Sequence, residues 1–154
     1  MEIDRQKEEF DALKRVTEKA EILSVTLFEC ASSRSDDALA YKEIKIDLST
    51  SSKLLEKDDD FFYAKVSFKF TGRPAEDETK VLVNIEASFV IKYLFPGASN
   101  ISIKELESFC NINPLFNCWP YWREIIQSMT TRMDLPPFTL PLLKIKQRRK
   151  EKED

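Results

Sequence analysis

The residues most able to recognise another molecule lie at 118–145, in the stretch CWPYWREIIQSMTTRMDLPPFTLPLLKI. At 100° per residue, Trp119, Trp122, Ile126, Met129 and Met133 fall within roughly an 80° arc, with Ile125 just outside it. Glu124, Gln127 and Thr131 lie opposite. The pattern predicts an amphipathic helix. Pro120 suits only a first turn, so the helix is expected to begin near Asn117 or Cys118. Pro136 and Pro137 end it and push Leu135 toward extended geometry. Phe138, Leu140, Leu142, Leu143 and Ile145 then form an apolar strap spaced by prolines. The chemistry on offer is area-proportional hydrophobic contact, with aromatics and flexible methionines adapting to many partners.

Other chemistry has little to work with. There is no histidine, which removes the commonest general base and a frequent metal ligand. No serine or cysteine therefore has an imidazole to activate it. Two glycines, Gly72 and Gly97, cannot build a phosphate-cradling loop. Cys30, Cys110 and Cys118 are odd in number and lack a metal-type spacing, so reduced, partly buried thiols are expected. Asp58-Asp59-Asp60 has neither the alternation nor the central glycine of a calcium loop. Arg123 and Glu124 fit a solvated or interfacial pair. The basic run at 144–150 is followed by Glu151, Glu153 and Asp154, which suits a solubilising tail, and a net charge of −3 argues against nucleic acid. A binding protein is expected, with no enzyme activity, cofactor or metal.

Periodicity gives the elements that must position the apolar stretch. At 154 residues, 42% apolar and 33% charged, the chain fits one domain, 1–154. Residues 1–20 predict a surface helix with a thin stripe of Phe10, Leu13, Val16 and Ala20. Residues 21–95 hold four strands, at 21–32, 41–49, 61–71 and 79–94, with Ile44, Ile46 and Leu48 marking one face of the second. Short connections imply an antiparallel meander. Helices are expected over 99–134, opened at Ser102 or at Ser99, with Glu105 placed to complete a capping box on Ser102, and interrupted at 111–117 by Pro114. The strap is 135–145 and the charged tail 146–154, expected to be disordered. The fold class is α+β, a four-stranded antiparallel sheet with a long helix from the C-terminal half packed on it. The first residues carry no secretory-type apolar run and no stretch reaches bilayer length, so a cytoplasmic protein is expected, without membrane insertion. One helical stripe is too little for strands this long. Part of the apolar surface should therefore meet a sister subunit or a client.

Trp119-Pro120-Tyr121-Trp122-Arg123-Glu124 is an aromatic-Pro-Tyr-X-Arg-Glu helix start. It runs into Ile125-Ile126-Gln127-Ser128-Met129, and then Leu135-Pro136-Pro137-Phe138-Thr139-Leu140-Pro141. Upstream, Cys110-Asn111-Ile112 and Leu115-Phe116 form a short cysteine-containing link. In these features the last third of the chain resembles the SecB protein-export chaperone family. Family members usually close with a further helix after the strap, where this sequence has charged residues.

The resemblance implies a SecB-like domain that holds unfolded or partly folded polypeptides without nucleotide. It implies a homotetramer, a dimer of dimers, with the SecA motor or an antitoxin as possible dedicated partners. Client binding is expected at Ile112, Leu115, Phe116, Leu135, Phe138, Leu140 and Leu142. Subunit contacts are expected at Trp119, Tyr121, Trp122, Arg123, Ile125, Ile126 and Met129. The other reading is a non-chaperone interaction domain, or one that encloses a small hydrophobic ligand.

Overall fold

The computed structural model describes residues 2–143. Ile145 and the expected charged tail lie outside them. Helix α1 (Glu2–Lys19) leads into strands β1 (Glu21–Arg34), β2 (Ile44–Lys57), β3 (Phe61–Pro74) and β4 (Val83–Leu94), then helices α2 (Ile103–Cys110) and α3 (Asn113–Arg132). Every pairing is antiparallel and the order is β1-β4-β3-β2. The α+β class is as expected, but the order corrects the meander. β2, β3 and β4 follow one another as neighbours, whereas β1 crosses to the far edge against β4. β4 is mostly buried, so it needs a strand on each side.

The core face alternates with the pleat. Phe62, Ala64, Val66, Phe68 and Phe70 of β3 and Ile85, Ala87, Phe89, Ile91 and Tyr93 of β4 are buried there. Across them lies α3: Phe68 stacks on Trp122 at 5.2 Å and meets Trp119 edge-on at 6.0 Å. Phe62 stacks on Tyr93 at 4.8 Å and meets Phe109 of α2 at 5.6 Å. The Tyr93 hydroxyl, its pKa raised by burial, donates to Asn117 Oδ1 at 2.7 Å. Helix α1 rests on α2 through buried Ala12 and Val16, and Arg15 pairs with Glu105 at 2.8 Å.

Of the two expected starts, Ser102 and not Ser99 caps α2, its Oγ accepting from Glu105 N at 3.2 Å. Helix α3 starts earlier than expected. Pro114 takes the tolerated place in its first turn, so the break expected over 111–117 narrows to a turn at 111–112 and Pro120 lies inside the helix. Pro120 has no N–H for the Phe116 carbonyl, and its ring is exposed. Strand β2 runs on to Lys57, past the expected end at 49. Its polar Ser49–Lys53 segment pairs with β3, and the Ser52 hydroxyl donates to the Cys110 carbonyl of α2. β4 begins at Val83 because Asp77 caps a turn through Thr79 N at 3.0 Å.

Candidate functional site

Helix α3 ends in a left-handed residue, Asp134, with φ 56°. Asp134 N donates to Thr131 O at 3.1 Å and Leu135 N to Thr130 O at 3.0 Å, the paired bonds of a Schellman turn. That turn reverses the chain, so the strap runs back along α3. Three bonds pin it. Thr130 Oγ1 accepts from Phe138 N at 3.3 Å, Arg123 Nε donates to Leu140 O at 2.9 Å, and Trp119 Nε1 donates to Pro141 O at 2.9 Å. Leu140 is wholly buried and Phe138 packs on Phe70 at 5.3 Å. Two of the seven helix side chains expected at a subunit interface, Trp119 and Arg123, hold the strap in this way.

Between the strap and β2 the core face stays open. A groove of about 400 Å³ has Leu135, Pro136 and Phe138 on one side and Ile44 and Ile46 of β2 on the other. Its floor is Phe70 and Val83, and its end is closed by Ala38, Leu39 and Tyr41, with Lys42 also lining it. Gly72 keeps the floor low, since a Cβ there would stand 3.2 Å from Ile44 Cγ2 and 3.5 Å from Val83 Cβ. Leu48 and Thr50, next on the same face of β2, are exposed. The face from Ile44 to Ser52 thus forms a shelf about 27 Å long at ~3.4 Å per residue. Ser52 is bonded to Cys110, two residues from exposed Ile112.

The end wall is held by charge. Lys80 bonds Asp37 and, at 3.2 Å, the Tyr41 hydroxyl, while Ser35 also donates to Asp37. Lys80, then Ser35, holds the Asp37 carboxyl below its usual range, and Asp37, then Tyr41, raises Lys80.

Of the seven expected client residues, the groove brings together Leu135 and Phe138. Ile112 is exposed at the start of α3, and Leu142 is exposed on the strap. Leu115 and Phe116 are half-buried in the first turns of α3, not on the loop expected for them. Leu140 faces inward and is closed to a ligand in this conformation. In the expected subunit set, Trp119, Trp122, Ile125 and Ile126 are buried within the single chain, and Met129 is half-buried with its Sδ 3.8 Å from Ser32 Oγ. Tyr121 is half-exposed and tilts against Phe89 at 6.1 Å.

A second apolar surface that one chain leaves open lies on β1. β1 is an edge strand exposed along nearly its whole length, including Ile22, Leu23, Leu27 and Phe28. The sequence signalled both this and the β2 wall, as apolar alternation, but alternation does not say which strand the helices leave uncovered.

No protein-family model matches the sequence, and no curated protein matches it. A solved structure does: a SecB-like chaperone from Mycobacterium tuberculosis, in complex with a ChAD peptide from the HigA1 antitoxin. It superposes with a TM-score of 0.74 at 17% identity, covering 88% of this chain and 99% of that one. This chain has a SecB-like fold. A protein of unknown function from Streptococcus agalactiae superposes at 0.45 and 11% identity over 80% of this chain and 98% of that one, too distant to add to the argument. Among the described residues, no helix is long and apolar enough to cross a membrane, and no three acidic or thiol side chains gather as a metal site.

Proposed function

We propose that this protein is a chaperone that holds non-native polypeptides in the β2–strap groove, in the cytoplasm and without nucleotide. The observation that carries the reading is an apolar cleft left open on one chain, walled by Ile44, Ile46, Leu135 and Phe138 and floored by Phe70. Wide hydrophobic walls gain energy from many sequences, at roughly 25 cal/mol per Å² buried, and suit unfolded segments better than one compact ligand. The neighbour of like fold carries an antitoxin peptide, which supports a polypeptide occupant and a dedicated client of that kind. Export through the SecA motor gains less support. The outer sheet face is mixed in charge, with Glu86 paired to Lys69 at 3.1 Å.

The edge strand β1 supports an assembly, with the homotetramer as the proposed state. A long strand with four exposed large apolar residues and free backbone groups is an aggregation hazard unless it is paired. Native mass spectrometry of the full chain reads the stoichiometry directly, and a monomer at micromolar concentration would remove that part.

The holding function is tested by light scattering of a chemically unfolded model client diluted into buffer. Stoichiometric protein should suppress aggregation equally with and without ATP. Unchanged aggregation, or suppression only with ATP, would contradict the reading.

A further inference from the structure

The outer face of the sheet, turned away from the groove, distributes its charge unevenly. Toward the Gly72 end its basic side chains are paired: Lys69 with Glu86 at 3.1 Å, Arg73 with Asp47 at 3.1 Å and Lys45 with Glu78 at 3.2 Å. Toward the β2–β3 turn the pattern changes. Lys53 and Lys65 stand directly opposite each other, and no acid among the described residues pairs with either. Lys92, diagonal to Lys65, rests on rings, its Nζ 4.3 Å from the Phe61 centroid and 5.8 Å from that of Tyr63. Glu56, opposite Tyr63, is exposed and forms no ion pair with the three lysines. Like charges directly opposite each other destabilise an antiparallel pair. The stem of Lys65 can shield buried Val90, its register partner, but that task needs no charge. Lys53, a strand further out, has no such task.

A second feature lies beside the lysines. The next row of the same face is Glu29, Ser88, Ser67 and Ser51, one residue from each strand. These short serines leave a depression of about 370 Å³ between the Lys53–Lys65 row and the Lys69–Glu86 row. Ser88, which lines it, is 4% exposed, and its Oγ has no hydrogen-bond partner. A buried hydroxyl left unpaired is costly, so a ligand oxygen that accepts from it gains that cost back. The depression is polarised. Its β2–β3 end adjoins the two unpaired lysines, while Glu29 stands at the β1 end, about 10 Å from Ser67 at two strand spacings.

We infer that the outer face is a docking surface for an acidic polypeptide segment, with carboxylates over Lys53 and Lys65 and an oxygen in the serine row beside them. Nucleic acid fits less well. Its backbone charge is continuous and would meet Glu29 and Glu86 in the same depression, whereas a peptide can place its acids at one end. The cations are lysine point charges, without the arginine fork that matches phosphate.

Fluorescence anisotropy of the full chain with labelled peptides at low salt tests this. A peptide alternating Asp with Ser should bind, and one alternating Lys with Ser should not. Lys53→Glu should weaken the Asp peptide about ten-fold, because it removes one exposed ion pair and neutralises Lys65. The same variant should raise the urea midpoint, since Glu opposite Lys65 replaces repulsion with attraction. A lysine kept only for structure would not give both changes. Lys45→Ser, at the paired end of the face, should change binding less than two-fold. Aggregation suppression should be unchanged in Lys53→Glu, because Lys53 faces away from the groove, and a parallel loss would overturn a separate surface. Equal binding of the Asp and Lys peptides, unchanged binding in Lys53→Glu, or tighter binding of a thymidine oligonucleotide of equal charge than of the Asp peptide also overturns the inference.

Discussion

Replacing Leu48 with Asp separates client binding from folding. Leu48 is 43% exposed on the core face of β2, beyond Ile46 of the groove wall. Burying a whole leucine stabilises by about 2 kcal/mol, so covering the remaining 43% of this one is worth about 0.9 kcal/mol to a client. Placing a carboxylate against an apolar client adds a desolvation cost of about 0.5 kcal/mol or more. The sum, about 1.4 kcal/mol, is a ten-fold loss in affinity. Folding stability should change by no more than about 0.5 kcal/mol, because the side chain is already half in water. Leu55→Asp is the control. Leu55 is 49% exposed on the same strand, at a register irregularity beyond the shelf. The assay is titration of a labelled unfolded client, with urea denaturation of each variant alongside. Equal loss in both variants would refute the shelf as the site, and so would no loss with Leu48→Asp.

Other outcomes follow from single residues. Asp134→Gly should stabilise the fold by about 1 kcal/mol, raising Tm by about 2–4 °C, because glycine takes φ 56° without the side-chain penalty. Gly97→Ala should cost about 1 kcal/mol in urea denaturation, since Gly97 sits at φ 80° after β4. A thiol reagent should modify Cys30 alone in the native protein and all three cysteines in denaturant. Cys110 and Cys118 are buried, with burial pushing each pKa up to about 12. With no histidine in the chain, client holding should be flat between about pH 5.5 and 7.5. The Asp37–Lys80 pair, which lowers Asp37 from its ordinary 3.8, stabilises the end wall above that value and is lost as pH falls through the lower folded value. Acid titration followed by tyrosine fluorescence of Tyr41 checks the sign.

Periodicity made much of this fold legible. The alternation in β3 and β4, the stripe of α3 and the Ser102 cap all report local geometry that their own side chains impose. The order of the strands was not legible, because β1 could pair with β2 or β4 on alternation alone and the buried length of β4 decides. Pro120 misled because proline inside a helix is costly, yet here it sits on an exposed turn while Pro114 supplies the start. The serines of β2 looked like loop residues. Their reason is tertiary: Ser52 bonds the end of α2. At the site, Leu135 and Phe138 were legible as apolar residues after a double proline. Ile44 and Ile46 were visible only as a sheet face, since the groove arises where the strap stops short of the edge strand.

The central claim is that unfolded chain lies between β2 and the strap. Methyl NMR of the full protein with a spin-labelled unfolded peptide tests it most directly. Broadening should concentrate on the methyls of Ile44, Ile46, Leu48 and Leu135, while Leu55 and the β1 methyls of Ile22 and Leu23 stay sharp. Broadening centred on β1 instead, with the groove methyls unchanged, would contradict the account.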